Sequence, residues 1–211
     1  MIVIHHLGIS QSDRIVWLCE ELEVPYELER YERDPKTRLA PAKYRALTPF
    51  GTAPVIVDGN VILGESSAIT EYIVTLYGGG RLTIPPGAPN YADYLFWFHF
   101  ANGSLMPSAM FDMIVGRMEN PNNVFSGLRQ RLDRAYRMIE SRLGDVPYLA
   151  GDNFTAADIL TLFPLTTFRV FVPRDLAPFP NIRRYLKRIA ERPAFQRATT
   201  KADPGFKPPL K

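Results

Sequence analysis

Two adjacent polar residues, Glu65 and Ser66, stand between an apolar run at 61–63 and a segment with apolar residues at helical spacing up to Leu76. At a helix start, the hydroxyl and backbone N–H of Ser66 would lie near the positive end of the helix dipole, where they can hold a carboxylate. Glu65 beside them can accept an ammonium group. The pair therefore matches an α-amino acid head group, although plain N-capping beside an exposed glutamate accounts for the same residues.

A proline stands at the start of the preceding apolar run. Pro54 comes before the run at 55–57, which a glycine-containing turn at 58–60 joins to 61–63, and this pattern predicts a β-hairpin. A cis Ala53–Pro54 bond would turn the chain sharply and leave the backbone of Ala53 free to pair with a group outside the sheet. A trans proline that only begins the strand is the alternative, since cis X–Pro bonds are uncommon.

Polar side chains also crowd the junction between the first predicted strand, at 2–7, and the first predicted helix. They are Ser10, Gln11, Ser12 and Asp13. All are typical of a helix start, where a side-chain oxygen caps backbone N–H groups, but a hydroxyl there can also donate a hydrogen bond to an anion. His6, at the end of the strand, could face the same place, although a lone histidine is usually structural.

The elements that must position these residues follow the order β-α-β and then β-β-α within residues 1–80. Strands are predicted at 2–7 and 26–31, with one helix between them, so the two strands should be parallel. The spacing of Cys19 places it on the apolar face of that helix. We therefore expect Cys19 to fill the core.

From about residue 91 onward the pattern is helical, and no strand is predicted. Residues 81–90 contain three prolines and predict a linker. Helices are predicted over an aromatic-rich segment at 91–106, over an amphipathic segment from Val124 to Leu143, and over 182–189, where Pro193 should close the helix. The tail from Lys201 is polar and proline-rich and is expected on the surface or loosely held.

A capping box is predicted at the start of a further segment. Thr155 can cap a helix start, and Asp158 stands three residues later. Phe154 and Ile159 can form the accompanying hydrophobic staple. We expect this motif to act in folding rather than in catalysis.

Composition excludes several classes of protein. The chain has 211 residues, of which 46% are hydrophobic, so it can bury a core and should not be disordered. Its single cysteine excludes an internal disulfide, and its formal charge of +3 is too small to indicate nucleic-acid binding. Neither a signal-peptide pattern nor an apolar run near the roughly 20 residues that span a bilayer is visible. We expect a cytoplasmic protein with no nucleic-acid or membrane partner.

Over residues 1–205 these motifs resemble the cytosolic glutathione transferases, and the first half is similar to their serine-type, theta- or beta-like bacterial and fungal classes. The resemblance implies an α/β plus all-α fold, with a thioredoxin-like N-terminal domain followed by an all-helical C-terminal domain. The implied boundaries are 1–80 for the glutathione-binding domain, 81–90 for the linker, 91–205 for the helical domain with the electrophile pocket, and 206–211 for the tail.

The resemblance also assigns roles to the motif residues. In the family the proline matching Pro54 is cis, the backbone before it pairs with the cysteinyl part of glutathione, and the pair matching Glu65 and Ser66 holds the γ-glutamyl head. A free thiol has a pKa near 8.5 and is mostly protonated at neutral pH. Ser10 resembles the catalytic serine, which donates a hydrogen bond to the thiolate and is not itself a nucleophile.

Arg14 completes a Ser-x-x-x-Arg spacing that the resembling classes share. It could orient Ser10 or raise the local positive potential. Ser12 and Gln11 are the other candidates for the group that contacts the thiol, and a simple N-cap is the alternative role for Ser10.

Several relatives carry a lysine where this chain has Thr52, so the glycine carboxylate of glutathione must find its cation elsewhere. Lys43 and Arg38 are the candidates, although a solvated surface accounts for the same charges. The expected glutathione-binding residues are Gln11, Lys43, Thr52, Ala53, Pro54, Glu65 and Ser66. The electrophile is expected at Phe98, Asn102 and Met106, although an aromatic stretch of this kind is more often core or dimer interface.

We therefore expect a glutathione transferase in detoxification, which stabilises the thiolate for attack on small hydrophobic electrophiles and for reduction of organic peroxides. Glutathione is the expected co-substrate, no metal is expected, and the resemblance implies a homodimer. A non-catalytic binding or regulatory protein with this fold is the alternative, because fold does not fix function. RNA or partner binding through the basic side chains at 183–192 is a weaker one, since these are typical of a solvated helix face.

Overall fold

The computed structural model describes residues 1–119 and 125–211, so Val124 of the predicted amphipathic helix lies outside the described residues. The chain forms two compact units. The first comprises Met1–Leu82 and Glu191–Lys207, and the second comprises Thr83–Ala190 and Pro208–Lys211. The chain therefore leaves the first unit after Leu82 and returns to it near its C-terminus, a return that no feature of the sequence predicted.

A four-stranded mixed sheet forms the centre of the first unit, with the strand order β2-β1-β3-β4. The strands are β1 (Ile2–Leu7), β2 (Tyr26–Tyr31), β3 (Val55–Asp58) and β4 (Val61–Gly64). β1 pairs in parallel with β2 and antiparallel with β3, and β3 pairs antiparallel with β4. The predicted parallel β-α-β unit and the predicted hairpin are both confirmed.

Three helices of the first unit lie within its N-terminal segment. They are α1 (Asp13–Leu22), the short α2 (Ala42–Arg45) and α3 (Ser66–Leu76). α1 ends where Glu23 adopts a left-handed φ of 53° and donates its N–H to the Cys19 carbonyl. Cys19 is fully buried, and burial raises the pKa of its thiol to about 12, which confirms its predicted place in the core.

The second unit is built from helices. They are α4 (Tyr91–Phe100), a π-helical segment (Ala101–Leu105), α5 (Met106–Val115), α6 (Ser126–Asp145), α7 (Ala156–Leu165), a 3₁₀ segment (Thr167–Val170) and α8 (Pro180–Ala190). The single helix predicted over 91–106 is thus wrong in detail, because regular α geometry stops at Phe100. Pro107 lacks the N–H that would bond the carbonyl four residues back, which favours such a departure. Within the described ranges, no helix has the length and apolar character to cross a membrane.

The predicted capping box stands at the start of α7. The Thr155 N–H donates to Asp158 Oδ2 at 2.9 Å, while Asp158 Oδ1 accepts from the Leu149 N–H at 3.0 Å and from the Tyr185 hydroxyl at 3.1 Å. Burial raises the pKa of Asp158 to about 6, against the opposing effect of these hydrogen bonds. All ten residues of α7 are buried, so Asp158 joins a loop, a helix start and α8 inside the core, as its predicted folding role requires.

The last helix, α9 (Pro193–Ala202), belongs to the first unit. Pro193, predicted to close a helix, instead opens this one, because a proline in the first turn lacks an N–H that would be unsatisfied anyway. The Phe195 ring packs edge-on against Trp17 of α1 at a centroid distance of 5.1 Å, and the Arg197 Nε donates to Glu20 Oε2 at 2.8 Å. The predicted fold class, a thioredoxin-like domain plus an all-helical domain, is confirmed.

Candidate functional site

The sheet register brings three sequence motifs to the same edge of the first unit. We call them the hydroxyl turn (residues 8–12), the proline motif (52–54) and the acidic–serine pair (65 and 66). The residues that lie opposite one another on three adjacent strands are His5, Val55 and Gly64. The hydroxyl turn follows β1 within a few residues, the proline motif directly precedes β3, and the acidic–serine pair directly follows β4. The three motifs therefore lie side by side.

The two serines of the hydroxyl turn occupy different positions relative to α1. Ser12, rather than Ser10, occupies the N-cap position of α1, and its Oγ accepts the Leu7 N–H at 3.2 Å. Ser10 is 5% exposed, and its Oγ lies 2.7 Å from Ser12 Oγ. Ser10 Oγ also accepts the Ser12 N–H at 3.3 Å, so it makes a contact of the kind that caps a helix, and its role at the thiol stays a prediction.

The contact between Ser10 and Ser12 continues to His6 and then to Asp203, and nothing in the sequence predicted the part of Asp203. His6 is fully buried, with its Nδ1 2.8 Å from Ser12 Oγ and its Nε2 3.1 Å from Asp203 Oδ1. The same Asp203 oxygen accepts the Ile9 N–H at 3.1 Å. Burial alone would raise the pKa of Asp203, but the contacts with His6 and Ile9 outweigh it and hold that pKa below its usual value.

Asp203 lies in the tail that was expected at the surface, and that expectation is wrong for the second and third residues of the tail. Ala202 is 1% exposed and Asp203 is 9% exposed. An acidic residue in a polar, proline-rich tail gives no local signal for burial, since its partners stand near the opposite end of the chain. Only the return of α9 to the first unit reveals the contact.

Arg14 lies against the hydroxyl turn. It is 1% exposed, and its guanidinium donates a hydrogen bond to Gln11 Oε1. Burial lowers the pKa of Arg14 to about 10, with Asp13 acting in the opposite sense. The structure thus brings two predicted site residues, Arg14 and Gln11, into direct contact and fixes the Gln11 side chain beside Ser10.

The proline motif carries the cis bond that the resemblance implies, between Ala53 and Pro54. Pairing of β3 with both of its neighbours begins at Val55, so Ala53 lies outside the sheet ladders. Its side chain is half-buried against a small core cluster that includes Leu7, whereas Thr52 is exposed.

The acidic–serine pair forms the start of α3. Glu65 is exposed and adopts φ 65° and ψ 113°, while Ser66, the first helical residue, is 2% exposed. A positive φ is uncommon for a residue with a side chain and is costly outside turns. The N-terminus of α3 therefore directly follows β4, at the edge of the sheet where the other two motifs lie.

The two candidate cations for a second carboxylate have different surroundings. Lys43 Nζ forms an ion pair with Glu29 Oε1 at 2.7 Å and lies 5.4 Å from the centroid of the Tyr31 ring. The hydrogen bond from Lys43 is the main cause that holds the pKa of Glu29 below its usual value. Arg38 is exposed, and its carbonyl accepts a hydrogen bond from the Arg33 guanidinium at 3.1 Å.

The predicted electrophile residues follow one another at four-residue intervals in the second unit. Phe98 of α4 is 4% exposed and packs against the Tyr94 ring at 5.7 Å. Asn102 is half-exposed in the π-helical segment, and Met106 begins α5 with 6% exposure. π-Helical turns are frequent at functional sites, but the role of these three residues stays a prediction.

Two family models match the chain. The N-terminal domain of glutathione S-transferases matches residues 10–76, and the C-terminal domain of glutathione S-transferases matches residues 89–193. The first match includes all three motifs except the earliest residues of the hydroxyl turn. The second extends from the start of α4 to the end of α8.

Individual relatives agree with these models. Glutathione S-transferase 3 from Schizosaccharomyces pombe is 34% identical and covers 96% of this chain and 88% of its own length. The crystal structure of a glutathione S-transferase from Actinobacillus pleuropneumoniae superposes with a TM-score of 0.89 at 29% identity, covering 97% of this chain and 95% of that one. A glutathione transferase from Phanerochaete chrysosporium, solved with oxidized glutathione, shares the fold at 20% identity, with a TM-score of 0.78 and coverage of 95% and 94%.

These matches extend over both units and favour the predicted transferase over the non-catalytic alternative. The motifs that suggested the family from sequence are the ones that the sheet register gathers at one edge. The chain belongs to the glutathione S-transferase family.

Proposed function

We propose that the chain binds glutathione at the edge formed by its three motifs and transfers it to small hydrophobic electrophiles. The observation that carries this proposal is the alignment of His5, Val55 and Gly64 across three strands. It brings together a helix N-terminus, the Ala53 backbone outside the sheet ladders and a buried hydroxyl. A tripeptide with an amino acid head, two peptide groups and a thiol needs these three kinds of partner.

The acidic–serine pair is proposed to hold the γ-glutamyl head. The Ser66 hydroxyl and N–H, at the positive end of α3, would donate to the α-carboxylate. The Glu65 carboxylate would accept from the α-ammonium group. The positive φ of Glu65 supports this role, because strained backbone is often retained where it places a side chain at a ligand.

The remaining parts of glutathione are assigned to the other two motifs. The Ala53 backbone, which lies before β3 and next to the cis Pro54, is proposed to pair with the cysteinyl peptide groups. The Ser10 hydroxyl is proposed to donate to the thiolate, with Arg14 fixing Gln11 beside it. Gln11 would then contact the cysteinyl or glycyl part.

The glycine carboxylate is proposed to lie near Thr52 and Lys43. Lys43 is already paired with Glu29 in the structure, so it would have to share its charge or exchange partners. A surface ion pair of this kind is weak, about 0–1 kcal/mol. Exchange of the Lys43 partner would therefore oppose glutathione binding only slightly.

In the proposed reaction the thiolate attacks an electrophilic carbon, a carbon–sulfur bond forms and the leaving group departs with the bonding electrons. Phe98, Asn102 and Met106 are proposed to contact the electrophile, because aromatic and thioether side chains suit apolar molecules of variable shape. With an organic hydroperoxide, the thiolate would attack the O–O bond and release an alcohol, and a second glutathione would complete the disulfide and release water.

The proposal is tested by conjugation of glutathione to a chloronitrobenzene, with Ser10→Ala as the variant. Removing a donor aimed at developing or full negative charge typically lowers the rate by about 10²- to 10³-fold, and we expect kcat to fall while the KM for glutathione changes little. Ser141→Ala, at an exposed position of α6, is the matched control. Normal turnover by the Ser10 variant would contradict the assignment, and parallel assays with an organic hydroperoxide test the peroxidase activity.

We also propose that the protein acts as a homodimer in the cytoplasm, in detoxification. Each unit carries large apolar side chains that are exposed in the single chain, and such groups often mark a protein interface. In the first unit they include Phe50, Ile62 and Leu76, and in the second Phe96, Phe111 and Ile114.

A further inference from the structure

An unbroken series of buried polar groups runs from Ser10 to Asp203. Ser10 Oγ is 2.7 Å from Ser12 Oγ, Ser12 Oγ is 2.8 Å from His6 Nδ1, and His6 Nε2 is 3.1 Å from Asp203 Oδ1. All four residues belong to the first unit and are at most 9% exposed. A helix cap needs one hydroxyl, so capping does not account for the histidine and carboxylate behind it.

We propose that this series, the hydroxyl relay, receives the proton of the glutathione thiol. The inference rests on the proposed function, in which Ser10 contacts the sulfur. The S–H bond breaks as its proton passes to Ser10 Oγ, the Ser10 proton passes to Ser12 Oγ, and the Ser12 proton forms a new N–H bond at His6 Nδ1. A neutral thiol and a neutral imidazole thus become a thiolate and an imidazolium, with no other reactant.

The transfer also reverses every hydrogen bond in the relay. In the starting state that the relay requires, Ser12 donates to His6 Nδ1 rather than to the Leu7 carbonyl 3.4 Å away, and Ser10 donates to Ser12. Afterwards His6 Nδ1–H donates to Ser12, Ser12 donates to Ser10, and the Ser10 hydroxyl is free to donate to the thiolate. Ionisation of the thiol and the donor role of Ser10 are therefore one event.

Asp203 has two roles in the relay: it sets the tautomer of neutral His6, and it stabilises the protonated ring. Its carboxylate oxygen lies 3.1 Å from His6 Nε2, which favours a proton on that nitrogen and leaves the Nδ1 lone pair directed at Ser12, since the partner of one ring nitrogen sets the tautomer of the other. Its negative charge then stabilises the imidazolium. The Ile9 N–H on the same oxygen helps to keep the pKa of Asp203 below its usual value, so the carboxylate does not take up the proton itself.

Two arginines, Arg30 and Arg33, also act on Asp203. Arg30 is among the groups that hold the pKa of Asp203 down, and Arg33 interacts electrostatically with the same carboxylate. Arginine stays protonated over the usable pH range. Ser12, His6 and Asp203 act through Ser10, so they are positioning residues rather than catalytic ones.

The first test follows the ring nitrogens of His6 by NMR in the full-length protein. The chain has three histidines, so the signals can be assigned by single substitutions. Glutathione should convert His6 from the neutral to the doubly protonated ring and leave exposed His99 unchanged. S-Methylglutathione, which has no thiol proton, should not convert it. A His6 ring that is already doubly protonated before binding, or that responds equally to both ligands, would overturn the relay.

The second test measures the pKa of enzyme-bound glutathione from the ultraviolet absorbance of the thiolate. His6→Asn, Ser12→Ala and Asp203→Asn should each raise it by about 1–2 units, which lowers conjugation roughly 10- to 100-fold at slightly acidic pH and is recovered at alkaline pH. Asp203→Asn keeps the acceptor oxygen for the Ile9 N–H, so it decides the outcome if another variant misfolds. His99→Asn is the matched control.

The same measurement separates the relay from the proposed function. If Ser10→Ala raises the pKa of the bound thiol but a folded Asp203→Asn protein shows the wild-type value, the relay is wrong and the role of Ser10 stands. If Ser10→Ala also leaves that pKa unchanged, the assignment of Ser10 to the thiol fails.

Discussion

Glu65 is held with φ 65° and ψ 113° at the start of α3, a backbone conformation that costs a residue with a side chain on the order of 1–3 kcal/mol. Its side chain is exposed, and no gain in core packing offsets that cost. We propose that ligand binding offsets this cost. The unusual backbone holds the Glu65 carboxylate beside the N-terminus of α3, where an ammonium and a carboxylate can bind next to each other.

The charge of Glu65, rather than its shape, should determine glutathione affinity. Glu65→Gln keeps the backbone and the side-chain length, so the melting temperature should stay unchanged. The lost charge-assisted hydrogen bond should raise the KM for glutathione by about 10- to 100-fold, which corresponds to roughly 1.5–3 kcal/mol. Glu71→Gln, at an exposed position on the same helix, is the control. An unchanged KM in the Glu65 variant would remove this residue from the binding site.

The sequence was informative where a functional residue has a local signature. Pro54 before a hairpin, and Glu65 and Ser66 between a strand and a helix, depend on neighbours within about ten positions. The contact of His6 with Asp203 has no such signature, because its two partners are far apart in the chain and meet only when α9 returns to β1 and α1. Side-chain geometry at 2.7–2.8 Å among Ser10, Ser12 and His6 was likewise beyond the reach of residue spacing.

At the scale of elements, Asp158 is a buried carboxyl group whose pKa depends strongly on its surroundings. It is fully buried, and its pKa in the folded protein, about 6, exceeds the ordinary value of 3.8. The folded state therefore binds more protons than the unfolded state between these two values. Stability from this group is fully present below the lower value and is lost as the pH rises through the upper one.

This gives a pH-dependent prediction for the start of α7. We expect the unfolding free energy of the wild type minus that of Asp158→Asn to fall by about 2.4 kcal/mol from about pH 4 to about pH 7, at 1.36 kcal/mol per pKa unit. Denaturant unfolding at several pH values measures it, and Asp152→Asn, at an exposed position, is the control. A difference that rises with pH would mean that the donors around Asp158 keep it ionised.

Element existence was easier to predict than element boundaries. Short apolar runs and turn signals predicted most of the strands, and amphipathic patterns predicted most of the helices, because burial of one face leaves a periodic signal. The helix that begins at Pro193 was missed because that proline was interpreted only as a stop, and the break after Phe100 was missed because the apolar spacing continues across it. In the first turn of a helix proline is compatible with helical geometry, so the same residue can close one helix or open the next.

At the scale of the whole molecule, Phe50 is 78% exposed in the first unit, close to the proline motif. An aromatic side chain left in water is typical of a residue that a second copy covers. Phe50→Ser should weaken the proposed homodimer by about 2 kcal/mol, or roughly 30-fold in dissociation constant, as measured by sedimentation. Val170→Ser, 49% exposed in the second unit, is the control. Dimers of unchanged stability would exclude Phe50 from the interface.

The stability of the first unit depends on the end of the chain, because Glu191–Lys207 is part of that unit. Within that unit, α9 places Phe195 on Trp17 and pairs Arg192 with Glu21 at 2.7 Å, and Asp203 accepts the Ile9 N–H. A chain that stops after residue 190 would expose this apolar surface and leave buried polar groups unpaired, at a cost of several kcal/mol.

That cost is comparable with the whole stability of a small domain, so we expect the chain truncated after residue 190 to lose cooperative unfolding of the first unit. Glutathione should then give no thermal stabilisation, although the motifs at 8–12, 52–54 and 65–66 are all present. Truncation after residue 207 is the control, because residues 208–211 belong to the second unit. It should keep the response to glutathione. A chain ending at residue 190 that still binds glutathione would show that the sheet and its first three helices suffice for the site.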